Sequence, residues 1–286
     1  MMQPLGILDG KIINLDDLIL PMEDRGHQFG DGVYEYTKVY DGHCFGLQPH
    51  LERLYRSLRE LRIPAVYTIE ELAGFHELLI KETGIQNGGI YLQITRGVAP
   101  RVHSFPDKAV PKLTMSLRPA GSGNASLWEN GAAIILIPDI RWLRCDIKSL
   151  NLLGNVLGKQ EAKEAGCFEA VMIRNGIITE GTSSNFFVVK DGVLWTHPVS
   201  PLILKGVTRT FVIDTLAPAL GLPVVEKEFS PAFLQSAEEA FLSGTSTEIM
   251  PIVTIDGKPL SGGAVGPVTR KVQTAYKQLI AQACGE

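Results

Sequence analysis

Two hydrophobic periods alternate along the first third of the chain. Runs at Gly6–Leu8, Lys11–Ile13 and Tyr34–Tyr40 read as strands, broken by Asp9-Gly10 and Asp41-Gly42. Asp-Gly beside an apolar run marks a tight turn, because both residues tolerate positive φ. From His50 to Arg62 the period lengthens, and Leu51, Leu54, Tyr55, Leu58 and Leu61 fall on one helical face. A second helix is expected from Thr68 to Gly84: the Thr68 hydroxyl can cap it while Glu71 reaches back, and glycine can close it. Ile90–Arg96 and Lys112–Arg118 read as further strands.

The pattern changes at Pro119-Ala120-Gly121-Ser122-Gly123-Asn124-Ala125-Ser126, whose small and polar residues suit a linker. Residues 1–118 are therefore expected to form a smaller α+β domain, 119–127 a linker, and 128–286 a larger β-rich domain. In the latter, Ala132–Ile137 is a continuous apolar strand, and Leu152–Ala165 reads as a helix stopped by Gly166. Two hairpins turn at Asn175-Gly176 and Asp191-Gly192. Later helices start near Val207, at Ser230-Pro231 and at Pro267. The fold class read from these elements is α/β of the α+β type, in two domains.

With 45% hydrophobic residues among 286, the chain can bury a substantial core. A net charge of −4 without a long basic run gives no support to nucleic-acid or membrane-surface binding. Cys44, Cys145, Cys167 and Cys284 lack metal-ligand spacing and read as free thiols of a reducing compartment. No basic segment followed by an apolar core opens the chain, and no stretch approaches the roughly 20 apolar residues that span a bilayer. The expectation is a cytoplasmic protein.

Lys148 stands in Arg141-Trp142-Leu143-Arg144-Cys145-Asp146-Ile147-Lys148-Ser149-Leu150-Asn151, between an apolar strand and a helix start. Burial there would make its neutral amine accessible. Glu180 follows at the end of a predicted hairpin, in Thr179-Glu180-Gly181-Thr182-Ser183-Ser184-Asn185. An amine for a Schiff base and a carboxylate for a ring nitrogen are what pyridoxal phosphate needs from a protein. Three segments suit a phosphate: Val207 and Thr208 at a helix start, the small polar turn Ser243-Gly244-Thr245-Ser246-Thr247, and Arg53 on the first helix. Taken singly, these are ordinary capping residues and a solvated arginine. Arg96-Gly97-Val98-Ala99-Pro100-Arg101-Val102-His103 offers Arg101 and His103 two residues apart, on one side of an extended chain, where they can grip a carboxylate. By itself the pattern is equally that of a surface loop. Asp24–Glu35 crowds three glycines ahead of a strand, with Tyr34 facing away from Glu35; Tyr34 could bond a substrate or simply sit in a core. Gly-x-Ser-x-Gly, HExxH and GxxxxGK[ST] motifs are absent from the sequence.

In this order the motifs resemble the fold type IV family of pyridoxal phosphate enzymes over essentially the whole chain. EDRGHQFGDGVYE, ITRGVAPRVHSFP, DIRWLRCDIKSLNLLGNVLGKQEA and ITEGTSSNFF are most similar to its bacterial D-amino acid transaminase (D-alanine aminotransferase) branch. The resemblance implies that Lys148 forms the Schiff base and moves a proton, and that Glu180 holds the ring-nitrogen proton. Arg53, Val207, Thr208, Gly244 and Thr245 would hold the phosphate, and Leu204 would pack beside the ring. Arg101 and His103 would grip the substrate's α-carboxylate with help from Tyr34. It further implies a homodimer, with the active site between two domains at the subunit interface and the carboxylate clamp supplied by the neighbouring subunit. Two positions depart from the family: Gly244 replaces a serine, which removes a hydroxyl, and His27 replaces a tyrosine. The implied reaction is ping-pong transfer of an amino group from a D-amino acid to 2-oxoglutarate or pyruvate. Alternatives on the same scaffold are aminodeoxychorismate lyase and (R)-amine or branched-chain aminotransferase, and a different class is a non-catalytic pyridoxal phosphate-binding protein.

Overall fold

The structure, a computed structural model, describes residues 4–17, 21–108, 110–121 and 125–285. The chain forms two compact units. The first takes the described residues of Met1–Ser122, Ile147–Asn151 and Ala283–Glu286; the second takes those of Gly123–Asp146 and Leu152–Gln282. Lys148 therefore belongs with the amino-terminal unit, although it lies in the sequence between elements of the other.

The first unit contains β1 (Leu5–Leu8), β2 (Lys11–Asn14), α1 (Arg25–Phe29), β3 (Gly32–Tyr40), β4 (His43–Cys44), α2 (Leu47–Glu60), α3 (Ile69–Thr83), β5 (Gly88–Thr95) and β6 (Lys112–Pro119). Its strands form one antiparallel sheet in the order β2-β1-β6-β5-β3-β4. Alternation decides which face is covered. Ile7, Val33, Val39, Ile90, Leu92, Leu113 and Met115 are buried with Leu51, Leu54, Leu58, Leu72 and Leu79 from α2 and α3. α3 begins as expected: Thr68 accepts from the Glu71 N–H, and Glu71 reaches back to the Thr68 N–H. α1 is a correction to the sequence reading, which had only a glycine-rich approach to a strand. Asp24 caps it by accepting from Gly26 and His27, and Gly30 ends it at φ +67°.

The second unit contains α4 (Ala125–Asn130), β7 (Ala132–Pro138), α5 (Leu153–Glu164), β8 (Glu169–Arg174), β9 (Ile177–Gly181), β10 (Asn185–Lys190), β11 (Val193–Thr196) and α6 (Val207–Phe211). After a π-helical turn over Val212–Leu216 come α7 (Ala217–Ala219), β12 (Val224–Glu226), α8 (Pro231–Gln235), β13 (Glu239–Gly244), β14 (Glu248–Ile255), β15 (Lys258–Pro259) and α9 (Pro267–Cys284). The nine-stranded sheet runs β12-β11-β10-β13-β14-β7-β8-β9, with β15 on β14. β7 and β8 are parallel and joined through α5, as a parallel pair requires a crossover. Ala125 and Ser126, read as linker, are the first turn of α4; residues 122–124 of that segment lie outside those described. The Asx-Gly turns read from sequence all form, and Asp256-Gly257 adds a fifth; the first residue of each has φ between 46° and 52°.

Apolar runs mark the middle strands: Phe186–Val189 of β10 and Ala240–Leu242 of β13 are buried on both faces of the sheet. Phe187 and Phe241 stack with centroids 4.8 Å apart and planes 6° from parallel, and neither is exposed. Phe187→Ala is expected to destabilise the protein by about 3–5 kcal/mol through lost transfer and a residual cavity. Denaturant unfolding checks this; a change under about 1 kcal/mol would mean the strand is not part of the core.

Candidate active site

Lys148 is placed by strand pairing. The Tyr34 N–H donates to the Lys148 carbonyl at 3.0 Å and the Leu150 N–H to the Gly32 carbonyl at 3.0 Å, with Val33 and Ser149 bridged antiparallel between them. Residues 148–150 thus extend the sheet beside the start of β3. The Ser57 hydroxyl, buried on α2, accepts from the Lys148 N–H at 3.2 Å. This leaves the half-buried side chain with its Nζ 4.2 Å from the centre of the Tyr34 ring. Among the described residues no carboxylate lies in ion-pair range of Nζ. Tyr34 also stacks on Tyr91 at 5.6 Å, which fixes the surface under the amine.

Under the same sheet lies a charge cluster that sequence reasoning missed. Glu35 is 1% exposed and accepts from Arg53 Nε at 2.7 Å and NH2 at 2.9 Å, and from His50 Nδ1 at 2.7 Å. Burial alone would raise the Glu35 carboxyl, but Arg53 and His50 hold it well below the usual carboxylate range. Burial lowers His50 against the pull of Glu35, whose carboxylate lies 2.7 Å from its Nδ1. Arg53 is not the solvated arginine its sequence position allowed: its side chain is 11% exposed and oriented by Glu35. The signal was there, since Glu35 lies on the inward stripe of β3 among Val33, Thr37 and Val39, where an acid needs a partner.

Arg101 and His103 meet at one place in the first unit, as their spacing suggested. The Arg101 guanidinium lies 4.9 Å from the centre of the Phe29 ring, and the His103 ring lies 5.6 Å from it. Both side chains are exposed in the single chain.

In the second unit, Glu180 is the penultimate residue of β9 and is 5% exposed. Its carboxylate accepts from Arg141 NH1 at 2.6 Å, Asn185 Nδ2 at 3.0 Å and the Leu204 N–H at 3.0 Å. Arg141 is held in turn by Asp139 at 2.8 Å, and Asp139 also takes Arg174 at 2.9 Å and the Thr179 hydroxyl at 3.1 Å. Burial pushes the Glu180 carboxyl up to about 7, against the pull of Arg141 and the Leu204 N–H. Burial also works on Asp139, but Arg141 and Arg174 win and hold it at about 2. Arg141 and Asn185 were missed; Asp139-x-Arg141, on one side of an extended chain, was the available clue.

The phosphate candidates other than Arg53 lie in this unit. Gly206 precedes α6 without a side-chain cap, so the first-turn N–H groups of Val207 and Thr208 have no side-chain acceptor. A Cβ at Gly206 would come within 2.1 Å of Asn185 Oδ1, so the backbone there must be bare. The Thr208 hydroxyl lies 3.4 Å from that of Tyr276. Gly244 closes β13 beside the buried Ser243, whose hydroxyl has no hydrogen-bond partner among the described residues. At Gly244 an added Cβ meets nothing closer than 3.5 Å, so a serine would fit; its absence removes a hydroxyl without altering the turn. Bare N–H groups, an orphaned hydroxyl and a buried carboxylate fit a phosphorylated cofactor with a basic ring nitrogen.

The first unit presents a lysine amine over an aromatic ring, and the second a buried carboxylate and an uncapped helix start; each suits a pyridoxal phosphate enzyme of fold type IV. The family model described as Amino-transferase class IV matches residues 32–255, and the chain belongs to that family. It is 46% identical to a D-alanine aminotransferase of Staphylococcus epidermidis, over 96% of each chain. Among solved structures, the branched-chain amino acid aminotransferase of Escherichia coli superposes with a TM-score of 0.92 at 29% identity, covering 97% of this chain and 94% of that one. The branched-chain amino acid aminotransferase of Thermobaculum terrenum, in its PLP-bound holo form, gives 0.87 at 26% identity, covering 99% and 96%.

Because Glu180 is raised from 4.5 to about 7 in the folded chain, its contribution to stability is complete below about pH 4.5 and is lost as pH rises to about 7. Glu180→Gln removes that titration. The cofactor-free wild type should therefore lose melting temperature relative to the variant between pH 4.5 and 7. A difference that stays constant with pH would contradict the burial effect.

Proposed function

We propose that this protein is a pyridoxal phosphate-dependent transaminase that moves the amino group of a D-amino acid, of the D-alanine, D-glutamate or D-aspartate type, to 2-oxoglutarate or pyruvate. The observation that carries the reading is the convergence of Arg101 and His103 on Phe29, which offers a bidentate cation and a second donor to one carboxylate. That pair favours an α-carboxylate substrate over an (R)-amine. The D-alanine aminotransferase relatives support the same choice over the branched-chain enzymes, whose likeness at 26–29% identity lies in the fold.

When bound, the cofactor supplies the electron sink that makes an α-carbon proton removable. Lys148 would supply the amine that holds it, and its Nζ would carry that proton. The weak electrostatic hold of the Tyr34 face leaves Nζ able to leave and return. Glu180 would keep a proton on the ring nitrogen, and Arg141 favours the carboxylate form that would do so. Val207 and Thr208 would offer N–H groups to the phosphate, with the Thr208 hydroxyl, Gly244 and Thr245; Arg53, aimed by Glu35, is a further phosphate candidate. Leu204 would lie beside the ring, and its N–H steadies Glu180. Tyr34 assists the carboxylate clamp.

The exposure of Arg101 and His103 in the single chain supports a homodimer in which each copy lends its clamp to the other. No helix among the described residues is long and apolar enough to cross a membrane, and the cysteines are free thiols, which supports a cytoplasmic location.

Lys148→Ala is expected to retain the phosphate-bearing cofactor but lose multiple turnover by a factor on the order of 10²–10⁴, the usual worth of a positioned proton carrier. Steady-state kinetics with D-alanine and 2-oxoglutarate check this; near wild-type turnover would remove Lys148 from the chemistry.

A further inference from the structure

The segment that carries Arg101 and His103 has little structure of its own. Its described residues between β5 and β6 contain neither helix nor strand, and Arg101 through Phe105 are exposed. A clamp must nonetheless hold its two donors at a fixed separation. What fixes this one lies beneath it. Asp31 sits between two buried arginines, accepting from Arg25 Nε at 2.8 Å and from Arg96 Nε at 2.8 Å and NH2 at 3.0 Å. Arg25 and Arg96 are 3% and 2% exposed.

Each arginine turns its remaining donors outward from this acid. Arg96 donates to the carbonyls of Leu61 at 2.7 Å and Arg62 at 2.9 Å, which ties it to the end of α2. Arg25 donates through NH1 to the Val102 carbonyl at 2.6 Å and, more weakly, through NH2 to the His103 carbonyl at 3.5 Å. Those two carbonyls belong to the residue between the clamp members and to one member itself. Farther along, the Phe105 ring lies 3.6 Å from the Arg96 guanidinium carbon and 4.9 Å from that of Arg62. The Arg25 guanidinium carbon also lies 4.8 Å from the Phe29 ring that Arg101 and His103 face.

We propose that Arg25 is a positioning residue for the substrate carboxylate: it reads Asp31 with one edge and holds the backbone of Val102 and His103 with the other, fixing the Arg101–His103 pair. The inference rests on the reading of that pair as the clamp. Its geometry needs a planar fork, because a lysine ammonium is a point donor that cannot span an acid and two carbonyls. Two cations around one acid also leave net positive charge under the loop, which adds to the attraction for a carboxylate. Phe105, gripped by Arg96, fastens the other end of the segment.

The test compares Arg25→Lys, Phe105→Leu and Arg101→Ala in the cofactor-loaded protein. The readouts are KM and kcat for D-alanine, the inhibition constant of propionate (a carboxylate that cannot react), and hydrogen exchange over residues 98–108. Arg25→Lys should raise KM and the propionate constant together by on the order of tenfold, the worth of a lost charge-assisted contact. Because the loss is of binding common to ground and transition states, kcat should stay within about threefold. Amide exchange in the segment should quicken. Phe105→Leu, at an exposed site where folding is not at risk, should move all readouts the same way by less. If Arg101→Ala weakens propionate while Arg25→Lys and Phe105→Leu leave it within about twofold, against the on-the-order-of-tenfold loss expected, the positioning role is overturned and the clamp stands. If Arg101→Ala itself leaves propionate binding unchanged, the clamp reading fails and the inference falls with it.

Discussion

Buried carboxylates and the arginines that answer them are the constraint on which this structure depends. A carboxylate removed from water must be met by donors or surrender its charge. Glu35 is met by Arg53 and His50, Asp31 by Arg25 and Arg96, Asp139 by Arg141 and Arg174, and Glu180 by Arg141 and Asn185. Each pairing locks a planar guanidinium, so each acid decides where an arginine points. Of the residues proposed to touch cofactor or substrate, Arg53 and Glu180 are members of these pairs, and Arg101 stands one step outward from one. Arg53 is aimed by Glu35, Glu180 is held by Arg141, and the loop of Arg101 is held by Arg25.

The acids do not behave alike, and the difference is useful. Glu35, met by Arg53 and His50, and Asp139, met by two arginines, stay low. Glu180 shares Arg141 with Asp139, so burial wins and its carboxyl rises to about 7. A group so placed responds strongly to one added positive charge, which a protonated ring nitrogen would supply. The arrangement joins the two halves of the proposed chemistry: the same carboxylate that costs stability in the empty protein gains it from a cationic ring.

Much of the fold was legible because its signals are local. Asp9-Gly10, Asp41-Gly42, Asn175-Gly176 and Asp191-Gly192 specify positive φ by residue type, and Thr68 with Glu71 specifies a helix start in four residues. The features missed depend on distant partners. Residues 148–150 pair with β3 through two backbone bonds more than a hundred residues apart in sequence, and backbone pairing of three residues leaves no periodic trace. α1 hides because its helical turn holds a glycine and its cap, Asp24, is fixed by Thr95 of β5. In the site, Lys148 and Glu180 stood out by chemistry and motif. Arg141, Glu35 and Arg25 did not, since a charged residue shows its partner only after folding.

The central claim is that the chain transfers the amino group of D-amino acids. Its most direct test supplies the cofactor-loaded protein with 2-oxoglutarate and either D-alanine or L-alanine, and follows pyruvate. Pyruvate from D-alanine alone is the predicted result. Pyruvate from L-alanine alone would contradict it, and would place the activity with the branched-chain enzymes whose fold this chain shares.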